Sequence, residues 1–165
     1  MRWLWIDRFV AFESGRSATA VKALSAAEDH FADHFPGYPV MPAALLLEGL
    51  AQTGGIPAGE AREFKEKVVL AKVPTATFHR DAMAGELLTY TAELVDLRDE
   101  GALVRGKITA GSDPVADAEI FFAHLDQNRS NQLFGDHNFV FGGELKTLLG
   151  LAALAPTKAG GAPEP

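Results

Sequence analysis

The stretch Pro42-Ala43-Ala44-Leu45-Leu46-Leu47-Glu48-Gly49-Leu50-Ala51-Gln52-Thr53-Gly54-Gly55-Ile56 decides how the rest of the chain must be arranged. Its residues are good helix formers; Pro42 suits the first helical position and Gly54-Gly55 is expected to end the run, near Ile56. Only Glu48, Gln52 and Thr53 interrupt an otherwise apolar surface, so the helix has no face suited to water. It is expected to be buried on all sides, which requires a sheet that wraps it.

Sequence on either side supplies that sheet. Upstream, Phe9 to Leu24 reads as two short strands joined at Glu13-Ser14-Gly15-Arg16, with Gly15 supplying the turn conformation. Downstream, Val68 to His79 opens a set of strands. Three alternating runs follow: Leu88 to Leu94, Val104 to Ala110 and Ala116 to Phe122, each of period two. Arg98-Asp99-Glu100-Gly101 and Gly111-Ser112-Asp113-Pro114 read as the turns between them, so these strands are consecutive antiparallel neighbours. The economical architecture is α+β, one long helix against a strongly curved antiparallel sheet. Between hairpin and helix, Glu28 to Phe35 is acidic and aromatic, and Pro36, Pro39 and Pro42 make a rigid connector. After Asp126 a polar linker (Gln127 to Gln132) leads to a possible short helix over 143–155 and a disordered end, Pro156 to Pro165. The expected division is a domain at 1–126 and an extension at 127–165.

Composition bounds the function. A chain of 165 residues with 47% hydrophobic and 22% charged residues is one globular domain with a tail. Its net charge of −7 argues against a phosphate-backbone binder, so nucleic acid is not an expected partner. The absence of cysteine excludes disulfides, thiolate metal sites and a thiol nucleophile. The apolar start, Trp3 to Ile6, is too short for a signal-peptide core, and no later run is long enough to span a membrane; a cytoplasmic protein is expected.

Chemistry concentrates between His34 and Gln52. Glu48 sits on a helix with almost no other polar surface; burial there would disfavour the charged carboxylate, the condition for a carboxyl that acts as an acid near neutrality. Gln52, one turn on, is within reach to orient it. Met41 stands where Ser, Thr, Asp or Asn would cap the helix, leaving the first N–H groups and the helix dipole for a substrate oxygen that gains negative charge. His34 precedes the proline loop and is suited to taking a proton near pH 7. Taken singly, each has a bland alternative: a hydrogen-bonded structural histidine, a carboxylate in an ion pair, prolines that only stiffen a loop. Tyr38 lines an entrance or simply packs. His30 and His34, with Asp29 and Asp33, have metal-like spacing, but no second cluster completes a shell.

The pattern His34-Phe35-Pro36-Gly37-Tyr38-Pro39, then Pro42, Glu48 fourteen residues after the histidine, and Ala51-Gln52, resembles the signature of the β-hydroxyacyl-acyl-carrier-protein dehydratases of the hot-dog fold (FabZ/FabA type). The resemblance covers roughly Trp5 to Leu125 and includes Phe78-His79-Arg80 and Gly85-Glu86 ahead of the long strands. It implies dehydration of a 3-hydroxyacyl thioester carried on the phosphopantetheine of acyl carrier protein, with no metal and no other cofactor. His34 would remove the proton next to the thioester carbonyl, and Glu48 would assist departure of the hydroxyl as water. Gln52 would hold Glu48, the Ala43 N–H would donate to the thioester oxygen, and Phe35 and Tyr38 would lie at the substrate-binding surface. It also implies a homodimer, or a higher assembly of dimers, with histidine and carboxylate from different protomers. Glutamate at position 48 resembles the branch that dehydrates without isomerising.

Three positions depart from the family pattern. Ala43 and Asp33 stand where glycine is usual, and Ala84 replaces a proline before Gly85. A methyl at Ala43 leaves its N–H intact, whereas a β-carbon at Asp33 would strain the loop if that position needs positive φ. Ala84 is expected to loosen its loop. Arg62, Lys65, Lys67, Lys72 and Arg80 form a local positive excess, read either as a solvated face or as a dock for an acidic carrier protein. His79, His124 and His137 read as structural or exposed, and Phe121 and Phe122 as core or interface. The competing functions are a hot-dog acyl-thioester hydrolase and a catalytically weak acyl or carrier-protein binding protein.

Overall fold

The computed structural model describes residues 4–125. The expected helix at 143–155, the disordered end and His137 lie outside the described residues. Six strands, β1 (Arg8–Glu13), β2 (Ser17–Ala23), β3 (Lys67–Phe78), β4 (Leu87–Leu97), β5 (Gly101–Ala110) and β6 (Asp113–Leu125), form one antiparallel sheet in the order β1-β2-β4-β5-β6-β3. The helices are α1 (His30–Asp33) and α2 (Ala43–Glu60). The curved sheet wraps α2, as the apolarity of that helix required, and the hairpin turn carries Gly15 at φ 66°. The β5–β6 turn is tighter than expected. Ala110 pairs with Asp113, so only Gly111-Ser112 forms the loop, and Gly111 at φ 60° takes the first central position.

Helix α2 does not stop at Gly54-Gly55; it runs on to Glu60, through both glycines and Pro57. Each internal glycine costs about 1 kcal/mol against alanine, and Pro57 removes one helical donor. Close packing offsets these costs. A β-carbon on Gly54 would lie 2.9 Å from Val104 Cγ1 and one on Gly49 would lie 2.8 Å from Tyr90 Cζ. The sheet is shaped to match, because the register aligns Ala18, Ala92, Gly106, Ala118 and Ala76 across five adjacent strands. This lane of small residues receives Leu50, whose side chain sits directly over Gly106. Flanking rows fill the core with Tyr90 opposite Ile108 and Val104 opposite Ile120.

Burial of α2 on all sides holds only for its second half. Gly49 to Gly59 are buried, but Ala43 and Ala44 are exposed and Leu45, Leu47 and Glu48 are half-buried. One side of the first two turns therefore lies open in the single chain, while Leu46 on the other is buried. Edge strand β3 is likewise exposed along most of its length, including the large side chains Leu70 and Phe78.

Two histidines, His124 buried and His30 half-buried, make stability depend on pH. His124 Nε2 lies 3.2 Å from the Ala58 carbonyl, which can only accept, so Nε2 carries the proton. Burial holds the His124 and His30 imidazoles below their ordinary value. A folded-state pKa below the unfolded one means the unfolded chain binds more protons. Stability from these groups is therefore complete above about pH 6.5 and is lost as pH falls through the depressed folded values. The urea midpoint is expected to drop between pH 7.5 and 5.5, and His124→Asn is expected to flatten that slope; an unchanged slope would remove His124 from the account.

Candidate active site

The proline loop is held against the segment ahead of β4 by three contacts. The Met41 N–H donates to the Ala82 carbonyl at 2.8 Å, Val40 and Met83 form a β-bridge, and the Tyr38 hydroxyl donates to Asp81 Oδ2 at 3.1 Å. Within the loop Phe35 and Tyr38 exchange backbone hydrogen bonds around Gly37, whose φ of 80° favours glycine. Phe35 and Tyr38 are both exposed, at 52% and 54%, and the His34 and Phe35 rings stack at 4.0 Å.

This frame orients His34. Its Nδ1 lies 3.1 Å from the Val40 carbonyl. Since a carbonyl only accepts, Nδ1 carries the proton of the neutral ring and Nε2 keeps its lone pair. A base is thus presented without a carboxylate partner, and sequence offered no sign of its orienter, because main-chain groups have no residue-type signature.

Glu48 is held from its own helix. Gln52 Nε2 donates to Glu48 Oε1 at 3.0 Å, and Gln52 Oε1 accepts from the Trp5 N–H at 2.9 Å. The first contact is the one expected from the spacing of four; the second was not anticipated. Glu48 is only half-buried, so its own chain does not provide the enclosure expected from the helix's apolarity. Among the described residues no hydrogen bond or ion pair links His34 to Glu48.

The start of α2 is uncapped, one residue later than expected. Pro42 rather than Met41 is the N-cap and has no side-chain acceptor, while its carbonyl takes the Leu45 and Leu46 N–H groups. Ala43 follows Val40 by three residues, so the free N–H groups and the positive end of the helix dipole lie beside the histidine loop.

Two of the departures from the family pattern, Asp33 and Ala84, can be placed in the structure. Asp33 closes α1 and is not among the residues with positive φ, so the expected strain is absent there. The loop at Ala84 is tied down by other contacts. Gly85 N–H donates to Leu24 O, Glu86 Oε2 accepts from Met83 N–H at 2.8 Å, and Arg80 pairs with Glu86 at 2.9 Å. The Arg80 hydrogen bond holds the Glu86 carboxyl below its ordinary value. The positive excess between Arg62 and Arg80 is smaller than its count, since Arg62 pairs with Asp99, Lys65 with Glu63 and Arg80 with Glu86. His79 is exposed and pairs with Asp117 at 2.6 Å. Phe122 is core, while Phe121 lies under Lys72. His30 meets the Trp5 ring edge-on and has Glu28 Oε2 at 3.6 Å.

A long helix gripped by a curved six-stranded sheet, with a proline loop crossing the helix start, defines the hot-dog class. A family model described as the FabA-like domain matches residues 1–119. Among curated relatives, the 3-hydroxyacyl-[acyl-carrier-protein] dehydratase FabZ of Pelotomaculum thermopropionicum is 38% identical over 73% of this chain and 87% of its own. FabZ of Listeria welshimeri is 39% identical over 75% and 87%. Among solved structures, the dehydratase heterocomplex ApeI:P from Xenorhabdus doucetiae aligns with a TM-score of 0.66 at 12% identity, covering 81% of this chain and 91% of that one. The E. coli PaaI protein aligns with a TM-score of 0.56 at 15% identity, over 71% and 78%; at such identities these two speak to the fold alone. The chain belongs to the FabA-like family of hydro-lyases, with the FabZ 3-hydroxyacyl-[acyl-carrier-protein] dehydratases as its curated relatives. Among the described residues, no helix is long and apolar enough to cross a membrane.

Proposed function

We propose that the chain dehydrates 3-hydroxyacyl thioesters presented on the phosphopantetheine arm of acyl carrier protein, as a cytoplasmic homodimer that needs no metal or further cofactor. His34 Nε2 takes a proton from the carbon beside the thioester carbonyl, and that C–H bond's electrons enter the forming double bond. Negative charge that develops on the thioester oxygen meets the Ala43 N–H and the α2 dipole. The C–O bond of the β-hydroxyl breaks as Glu48 supplies a proton, and water leaves. Because Glu48 Oε1 accepts from Gln52, the proton to be transferred sits on Oε2. Return of a proton from imidazolium to carboxylate, through solvent, restores both groups. Phe35 and Tyr38 border the acyl path, and residues 127–165 form an extension outside the catalytic domain.

The observation that carries this reading is the 3.1 Å contact of His34 Nδ1 with the Val40 carbonyl, which in the neutral ring leaves Nε2 its lone pair, in a loop that ends at uncapped helical N–H groups. Three features support a dimer: the exposed first turns of α2, the exposed edge strand β3, and the lack of contact between base and acid within one chain. The test is hydration of an enoyl thioester, followed by loss of enoyl absorbance, with a thiol reagent reporting hydrolysis. Inactive His34→Ala and Glu48→Gln proteins, unfolded and refolded together, are expected to recover about a quarter of wild-type activity, because half of the random dimers regain one of two sites. No recovery would sink the shared site, and thiol release without hydration would replace the dehydratase reading with a hydrolase.

A further inference from the structure

A side-chain amide is two-faced: its oxygen and nitrogen are nearly isosteric, and only its partners decide which way it points. Gln52 is such an amide, only 8% exposed. Turned one way it donates to Glu48; turned the other way it offers an oxygen, which would repel a carboxylate or capture the proton that Glu48 must deliver.

Among the described contacts, the one that fixes this orientation is with the main chain of Trp5. A backbone N–H can only donate, so its 2.9 Å contact with Gln52 Oε1 forces Nε2 onto Glu48. The Trp5 main chain is itself seated on α2 at the intervening turn, where its carbonyl oxygen lies 2.9 Å from the point a β-carbon on Gly49 would occupy. Only glycine admits that approach. On its other side the Trp5 ring meets the His30 ring edge-on, 5.4 Å between centroids, and the His30 carbonyl accepts the His34 N–H at 3.0 Å. The neighbouring Ile6 is fully buried and the Asp7 N–H donates to Val21 O at 2.8 Å, which anchors the segment where β1 begins.

We propose that Trp5 is a positioning residue for the dehydration: its main-chain N–H selects the Gln52 amide orientation that makes Oε1 of Glu48 an acceptor and Oε2 the proton donor. This rests on the function proposed above for Glu48. Trp5 acts through Gln52, so its effect must vanish when Gln52 cannot respond.

The experiment compares Trp5→Ala with Trp5→Pro, which both lose the ring but only one of which loses the N–H. Each is made in the wild-type chain and in Gln52→Leu. In the wild-type background Trp5→Pro is expected to lower kcat about tenfold beyond Trp5→Ala, with KM little changed; in the Gln52→Leu background the two should agree within about twofold. Equal rates for the two in the wild-type chain, or a difference that survives in Gln52→Leu, would overturn the proposal. Should Trp5→Pro fail to fold, deletion of residues 1–5 takes its place. A second readout does not need turnover: the Gln52 side-chain amide resonances, identified by their loss in Gln52→Leu, should shift in Trp5→Pro and hold in Trp5→Ala. If the wild type proves inactive, the dehydratase reading fails while these resonances still decide whether Trp5 sets the amide; unshifted resonances would refute the positioning role.

Discussion

His34→Ala is expected to lower enoyl-thioester hydration by about a thousandfold, within the range that a positioned general base contributes. The loss should fall on kcat and kcat/KM alike, because Nε2 gains its proton only as the transition state forms. Stability should change little. His34 is half-exposed, and water replaces its donor to the Val40 carbonyl when the ring is removed. Glu48→Gln keeps the shape and the contact with Gln52 but has no proton to give, and about a hundredfold loss is expected. Thermal melts of both variants alongside the rates are the check. A His34→Ala protein within tenfold of wild type would remove the histidine from the chemistry, whereas a melted variant would leave the Glu48→Gln rate to decide.

The largest structural effect is expected at Gly101, a residue remote from the site. A β-carbon there would lie 2.1 Å from the Phe122 carbonyl oxygen and 2.7 Å from Phe121 Cζ. The first obstacle is the main chain of β6, an inner strand hydrogen-bonded on both sides, so no rotamer change relieves it. Gly101→Ala should cost about 3 kcal/mol or more, the upper end for overpacking. Gly106→Ala is the informative contrast. Its β-carbon would meet the Leu50 side chain, Cδ1 at 2.5 Å and Cγ at 2.6 Å, and no main-chain atom among its nearest neighbours; a side chain can shift, so about 1–2 kcal/mol is expected. Urea unfolding of both variants tests the ranking; a Gly101→Ala protein as stable as Gly106→Ala would mean that β6 yields where its ladder says it should not.

Much of the site was legible because it is written in residue types at fixed spacing. His34, the prolines, Glu48 and Gln52 lie within one stretch, and the four-residue step from Glu48 to Gln52 became a hydrogen bond as helical geometry requires. What was missed shares one property, that the partner is a main-chain atom or comes from far along the chain. The Val40 carbonyl that sets the His34 tautomer and the Trp5 N–H that sets the Gln52 amide carry no side-chain signature. Glu86 stood out only through the family resemblance, and Arg80 through it and the local positive excess, with no hint that together they pin the Met83 turn.

The helix end was misread for a related reason. Gly54 and Gly55 are weak helix formers in isolation, and local propensity ends the helix there. In the folded chain Val104 Cγ1 would lie 2.9 Å from a β-carbon at Gly54, too close without a shift, so the same residue that weakens the helix is what lets it seat.

By itself the sequence determined the hairpin, the period-two strands, the central helix and the His34 to Gln52 constellation, since alternation, turn residues and helical spacing act over a few residues. Tertiary structure alone decided the lane from Ala18 to Ala76, the depth at which Leu50 sits over Gly106, and the orientations of His34 and Gln52. Those depend on strand register and on backbone groups brought together from distant positions, and neither leaves a trace in local composition.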